Sequence, residues 1–125
     1  MKALLATLIL WGASSSADII NCDFTEPFFS TSYSMVQQSL TVIDIEANKK
    51  VIKGVSFQIM GAGHFELWDK DKNVLQTIFL NYNGSNGMSD MLYPYEVINS
   101  NLVYDTGSNI VVGGCTSNFL HAEEL

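Results

Sequence analysis

Few side chains in this sequence are of the types that carry catalytic or metal-binding chemistry. Asp69, Asp71 and Asn73 alternate as the first ligands of a calcium-binding loop do. Val74 then stands where such a loop needs the glycine of its sharp turn, and Leu80 stands where it needs its closing glutamate. The pattern therefore favours a solvent-exposed hairpin turn over a calcium site.

The two histidines do not complete a catalytic or metal site. Neither His64 nor His121 has a second histidine, cysteine or carboxylate at the spacing of zinc ligands. The sequence lacks the G-x-S-x-G turn of many serine hydrolases. The glycines at 61 and 63 predict a turn, because no helix follows them to complete a phosphate site. We therefore expect a protein that is not an enzyme and that uses no cofactor and no metal.

The beginning of the chain has the organisation of a secretory signal peptide. An apolar run covers residues 3–12 after a basic start, and small residues at 15–17 form a cleavage site. The run is shorter than the roughly 20 apolar residues that span a bilayer. We expect a signal peptide over 1–17, no stable membrane insertion, and one domain over 18–125 that is periplasmic or secreted.

Cys22 and Cys115 are the two cysteines of the sequence. Export would place both in an oxidising compartment, so the sequence predicts that they form one disulfide. That bond would close a loop over most of the mature chain. The loop-entropy model assigns such a crosslink roughly 4 to 5 kcal/mol of stability.

The chain is strongly acidic, with 6 lysines, no arginine, 13 aspartates and glutamates, and a net charge of −7. A field of this sign repels phosphate backbones, so we expect no nucleic acid partner. A basic protein is the partner that such a charge suits, although acidity is also an ordinary route to solubility. The sequence does not predict an oligomeric state.

Short runs of β-forming residues, separated by polar turns, fill the mature chain. In 40–45 apolar and polar residues alternate, and 65–68 and 74–80 flank a polar turn as the strands of a hairpin do. Further strands are predicted at 29–36, at 51–60 with a bulge at Gly54, at 93–98, at 102–104 and at 110–112. We expect an all-β fold, a small antiparallel β-barrel or sandwich of about eight short strands closed by one disulfide.

The polar segment 81–90 is long for a hairpin connection and contains two Asn-Gly pairs, which suit turns with positive φ. Long ordered connections are more often functional than short ones. Met88 is an apolar residue among polar neighbours, and Tyr93 and Tyr95 follow on either side of a proline. Two interpretations stay open: a recognition loop around residues 81–95, or a rigid structural loop packed against the barrel.

Three motifs carry a resemblance to a known family. Residues 87–95 read G-M-S-D-x-x-Y-P-Y, residues 25–29 read T-E-P-F-F, and Gly114-Cys115 follows the last predicted strand. In this order they resemble a family of small, mostly uncharacterised bacterial envelope proteins. The family has tryptophan where Phe29 stands, and its loop carries a cysteine that this chain lacks. The resemblance implies a compact β-barrel-like domain in the bacterial envelope.

Domains of that family occur near, or fused with, the barrel of membrane-associated inhibitors of C-type lysozyme. The first hypothesis for function is a non-catalytic binding module, and the resemblance adds the alternative of an inhibitor of a cell-wall hydrolase such as C-type lysozyme. Glu26 is expected to accept hydrogen bonds from the backbone of residues 87–90 and so to be their neighbour. The predicted binding residues are Glu26, Met88, Ser89, Asp90, Tyr93 and Tyr95.

Overall fold

The computed structural model describes residues 19–25, 27–85, 92–107 and 111–117. Within these ranges the regular structure consists of nine β-strands, which pair in antiparallel fashion and confirm the predicted all-β class. None of the described residues belongs to a helix that could cross a membrane. The strands are β1 (Ile19–Phe24), β2 (Phe29–Ser34), β3 (Ser39–Asp44), β4 (Lys49–Lys53), β5 (Ser56–Gly61), β6 (His64–Trp68), β7 (Val74–Gly84), β8 (Tyr93–Asn99) and β9 (Val111–Ser117).

The strands form one sheet in the order β4-β3-β2-β1-β9-β8-β7-β6-β5, so the two edge strands are consecutive in the chain. Only Gly54 and Val55 separate the end of β4 from the start of β5. A connection of this length spans at most about 11 Å. The sheet must therefore curl until its two edges meet at this corner, and it forms a half-barrel with one concave face.

The prediction of one strand over 51–60 was wrong, because the chain turns a corner there instead of bulging. Gly54 has a φ of 72°, in the left-handed region that glycine adopts without steric cost. The Val55 N–H donates to the Gln38 carbonyl at 2.8 Å, and the Val55 carbonyl accepts the Tyr33 hydroxyl at 2.9 Å. These two bonds tie the corner to β2 and to the turn between β2 and β3.

The predicted strand at 102–104 was also wrong. The N–H groups of Val103 and Tyr104 both donate to the Ser100 carbonyl, at 3.0 and 3.4 Å, which closes a turn. The apolar side chains of this turn still reach the interior. Val103 is buried, and the Tyr104 ring stacks on Phe29 with ring centroids 4.3 Å apart. The segment thus contributes to the core without joining the sheet.

The concave face of the sheet carries the hydrophobic core, and one polar contact crosses it. The Gln76 side-chain amide donates to Thr31 Oγ1 and to Asn99 Oδ1, both at 3.0 Å, and all three residues are buried. Thr31 lies on β2 and Gln76 on β7, four steps apart in the strand order. The hydrogen bond between them therefore spans the interior and favours the curled shape.

Cys22 and Cys115 form the predicted disulfide. They lie directly opposite each other on β1 and β9, with Cα atoms 4.0 Å apart, and both are buried. The bond therefore joins the first strand to the last at the centre of the sheet. A disulfide in a small all-β protein fits a periplasmic or extracellular location.

Two hairpin turns share one hydrogen-bonding pattern, in Asp-x-x-x-Asn sequences at 44–48 and 69–73. Asp69 Oδ1 accepts the backbone N–H groups of Asp71 and Asn73, both at 2.9 Å, and Oδ2 accepts the Asn73 amide at 3.1 Å. Asp44 makes the equivalent bonds in its own turn. The alternating run at 69–73 is thus the hairpin turn that the sequence predicts.

These hydrogen bonds hold the pKa of both aspartates below its ordinary value. In each turn the backbone N–H of the asparagine is the largest cause, and the asparagine side chain adds to it. A carboxyl group with a lowered pKa in the folded state stabilises the fold above its unfolded pKa. That stabilisation disappears as the pH falls through the folded pKa.

We predict that Asp69→Asn lowers stability near neutral pH, because the amide replaces a charged acceptor. The difference from wild type should shrink as the pH falls below about 5 and through the lowered pKa of Asp69, where the wild-type carboxylate becomes protonated. Chemical denaturation at several pH values measures this. Asp71→Asn is the matched control, because it removes a charge from the same turn and keeps the bonds to Asp69. A difference between Asp69→Asn and wild type that stays constant over this pH range would contradict the prediction.

Candidate binding site at one end of the sheet

On the convex face, the strand registers align one residue from every strand into a single row. Asp23 and Gly114 lie at its middle, where β1 pairs with β9 beside the disulfide. From edge to edge the row is Lys49, Ile43, Ser30, Asp23, Gly114, Glu96, Phe79, His64 and Gly61.

Tyr93, one of the predicted binding residues, reaches across this row. Its hydroxyl donates to Asp23 Oδ2 at 3.0 Å, so the side chain extends from β8 over β9 to β1. The ring fits because Gly114 has no side chain: a Cβ there would lie 2.6 Å from two atoms of the Tyr93 ring. Tyr93 is only 5% exposed. It therefore ties the end of segment 81–95 to the first strand.

The neighbouring Gly113 leaves space for an aromatic ring on the opposite, concave face of β9. A Cβ at Gly113 would lie 2.6 Å from the Phe24 ring. The two glycines before Cys115 thus let one aromatic ring pack on each face of β9, Phe24 on the concave side and Tyr93 on the convex side. This is a physical reason for the Gly-Cys motif that follows the last predicted strand.

Tyr95, also predicted to bind, lies on the concave face opposite Cys115 and is 1% exposed. The structure therefore places its side chain in the core and away from any surface. The connection before it is shorter than predicted, because β7 continues to Gly84. Asn81, predicted to begin the loop, instead lies in the strand and donates to Glu96 Oε1 at 3.0 Å.

The other predicted binding residues lie outside the part of the chain that the structure describes. Their expected contacts, including those between Glu26 and the backbone of 87–90, stay predictions. The hydrogen bond between Asp23 and Tyr93 joins the two strand ends that flank these segments. The residues concerned are Glu26, Met88, Ser89 and Asp90.

Beside Asp23, the surface carries an apolar cleft of about 220 Å³. The side chains of Phe28, Ile43 and Ile45 line it and are 42, 36 and 72% exposed. Asp23 and Asp44 line it as well. The cleft was not predicted, although the sequence holds a signal for it: Ile43 and Ile45 are exposed apolar residues at and just after the end of β3.

His64 begins β6, one residue before the strand predicted at 65–68, and takes part in a separate cluster on the convex face. Its ring stacks on Phe79 with centroids 4.7 Å apart, and its Nε2 lies 3.8 Å from Glu66 Oε2. The indole N–H of Trp68 donates to Glu66 Oε1 at 2.8 Å. These contacts fix the ring between an aromatic and an acidic neighbour, far along the row from Asp23.

Comparison of the chain with protein-family models, with curated proteins and with solved structures found no match. The resemblance of its three motifs to the envelope family therefore stays a prediction. The function has to be inferred from the geometry of the chain itself.

We predict that Gly114→Ala destabilises the protein by about 1–3 kcal/mol, because the added methyl group overlaps the Tyr93 ring. Gly61→Ala is the matched control, since a Cβ at Gly61 meets nothing within 4 Å. Denaturant unfolding of both variants measures the difference. In the Tyr93→Ala background, Gly114→Ala should cost much less. Equal stabilities of the two glycine variants would contradict the packing of Tyr93 over Gly114.

Proposed function

We propose that this protein is an exported, non-catalytic binding module that recognises a protein partner with basic and apolar side chains. The observation that supports it is the exposed apolar cleft beside Asp23, whose lining residues include two aspartates. The proposed recognition surface consists of this cleft and the predicted recognition loop around residues 81–95.

The apolar part of the cleft favours burial by a partner. Large side chains exposed together on a surface mark interaction sites more often than isolated ones do. Ile45 and Phe28 both line the cleft while remaining substantially exposed. Burying one such side chain fully contributes about 1.5–3 kcal/mol.

The charge of the cleft favours a basic partner. The lowered pKa of Asp44 keeps its carboxylate ionised, and the whole chain carries a net charge of −7. A field of this sign steers cationic surfaces toward the cleft and repels anionic ones. Specific contacts at the cleft then select among the basic proteins that approach.

The predicted loop residues would extend the same surface. The bond from Tyr93 to Asp23 places the end of the segment 81–95 beside the cleft. Met88, Ser89 and Asp90 would then meet the partner from one side, and Glu26 from the other.

A second candidate is the inhibition of a cell-wall hydrolase such as a C-type lysozyme. The net charge of −7 favours it, because a basic enzyme is one kind of partner that suits the field. In this case the cleft and the loop would cover the catalytic groove of the hydrolase.

We predict that a peptide of alternating leucine and lysine binds the protein, and that Ile45→Ser weakens this binding by about tenfold or more, because an apolar contact worth about 1.5–3 kcal/mol is lost. Isothermal titration calorimetry measures both affinities. Val36→Ser is the matched control, because Val36 is 55% exposed and lies at the opposite end of the β2–β3 hairpin. A leucine–glutamate peptide that binds equally well, or an Ile45→Ser variant that binds like wild type, would overturn the proposal.

A lysozyme assay tests the alternative function as an inhibitor. Lysozyme activity is followed with an excess of the protein at low and at high salt. Inhibition that weakens with salt and with Ile45→Ser supports an inhibitor that uses this surface. Unchanged lysozyme activity at low salt contradicts the inhibitor function. The peptide titration then decides whether the protein is a binding module.

A further inference from the structure

The cleft beside Asp23 is small and combines two kinds of lining. Its volume of about 220 Å³ is below the roughly 300–1,000 Å³ of pockets that take whole small-molecule ligands. It is the size of a site for one side chain. Phe28, Ile43 and Ile45 are its apolar lining residues, and Asp23 and Asp44 are its acidic ones.

This combination excludes most side chains as occupants. An acidic side chain would be repelled by the two carboxylates. A purely apolar side chain would cover the carboxylates without pairing them, which costs free energy. A short polar side chain would leave the apolar walls in contact with water. A cation on an aliphatic stem satisfies both linings at once, because long basic side chains bury their stems and keep their charged ends paired.

Of the two carboxylates, Asp23 has the greater capacity to accept a further donor. Asp44 already accepts three hydrogen bonds within its own turn, two from backbone N–H groups and one from the Asn48 amide. Asp23 accepts the Tyr93 hydroxyl on Oδ2. An ionised carboxylate offers about four acceptor positions, so a cation can pair with Asp23 while the bond to Tyr93 persists.

We infer that the cleft is a socket for one lysine or arginine side chain of the partner, with the aliphatic stem against Phe28 and Ile45 and the cationic end on Asp23. The inference rests on the proposed function and names the type of side chain that the binding module recognises. Because the contact is a single side chain, its affinity in isolation is weak, with a Kd of about millimolar.

The test uses n-pentylammonium as the probe and protein-observed NMR titration as the measurement. The expected result is saturable binding with shifts at Phe28, Ile43 and Ile45. 1-Pentanol has the same stem without the charge, and ammonium chloride has the charge without the stem. Both should bind at least tenfold more weakly. Pentanol that binds as well as n-pentylammonium would overturn the inference.

Two variants separate the Asp23 carboxylate from the general negative charge of the chain. Asp23→Asn removes the carboxylate beside the cleft, and Asp71→Asn removes a charge from the turn between β6 and β7, outside the residues that line the cleft. Asp23→Asn should weaken n-pentylammonium binding about tenfold, while Asp71→Asn should keep it within about twofold. Equal losses in the two variants would contradict a cation at Asp23.

The failure of this inference and the failure of the proposed function are distinguishable. If the leucine–lysine peptide binds wild type and Asp23→Asn equally, the inferred site for a lysine or arginine side chain is wrong, while the proposed binding function is still supported. If n-pentylammonium binds as expected and the leucine–lysine peptide does not bind, the socket stands and the proposed protein-binding function is wrong.

Discussion

The pairing of the first strand with the last, clamped by the disulfide, is the constraint on which this fold depends. Every other pair of neighbouring strands is consecutive in the chain, so the sheet consists of two meanders, β1 to β4 and β5 to β9. The meanders are connected by the two-residue corner at Gly54 and Val55, and their other ends meet only in the β1–β9 pair. Bringing together two strands from opposite ends of the chain costs conformational entropy. The Cys22–Cys115 crosslink lowers this cost because it restricts the unfolded chain.

The same strand pair also organises the surface. Gly113 and Gly114 precede Cys115, and their missing side chains admit the rings of Phe24 and Tyr93 on the two faces. The Tyr93 hydroxyl then donates to Asp23. This bond brings the end of β1, just before the motif at 25–29, next to the start of β8, within the motif at 87–95. The apolar cleft adjoins that place because β2 and β3 continue the row from Asp23. The β1–β9 pair therefore stabilises the fold and also positions the surface that we propose for binding.

Where a feature depends on local residues, the sequence predicts it well. The hairpin around 69–73 and the alternating strand at 40–45 follow from turn chemistry and periodicity, and both are present. The related turn at 44–48 was missed, although its Asp-x-x-x-Asn pattern repeats that of 69–73. The predicted export of a chain with two cysteines was enough to predict their disulfide, which the geometry confirms.

Features that depend on distant contacts were not predictable. The corner at Gly54 is set by distant partners, Tyr33 on β2 and Gln38 in the turn between β2 and β3, and periodicity alone suggested a continuous strand. Residues 102–104 have the composition of a strand, yet they form a turn that fills the core. The cleft lies where the register pairs Phe29 with Asp44, so that Phe28 and Ile45 flank one end of the β2–β3 pair. The apolar residues at 43 and 45 are visible in the sequence, but their alignment with Phe28 is not.

Native-state hydrogen exchange, followed by NMR with the disulfide intact and after its reduction, tests the central claim most directly. If the β1–β9 clamp holds the two meanders together, its amides exchange most slowly in the oxidised protein, and those of the edge strands β4 and β5 exchange faster. Reduction should then speed exchange in both meanders together. Protection that falls only in the residues next to Cys22 and Cys115, with both meanders otherwise unchanged, would contradict the account.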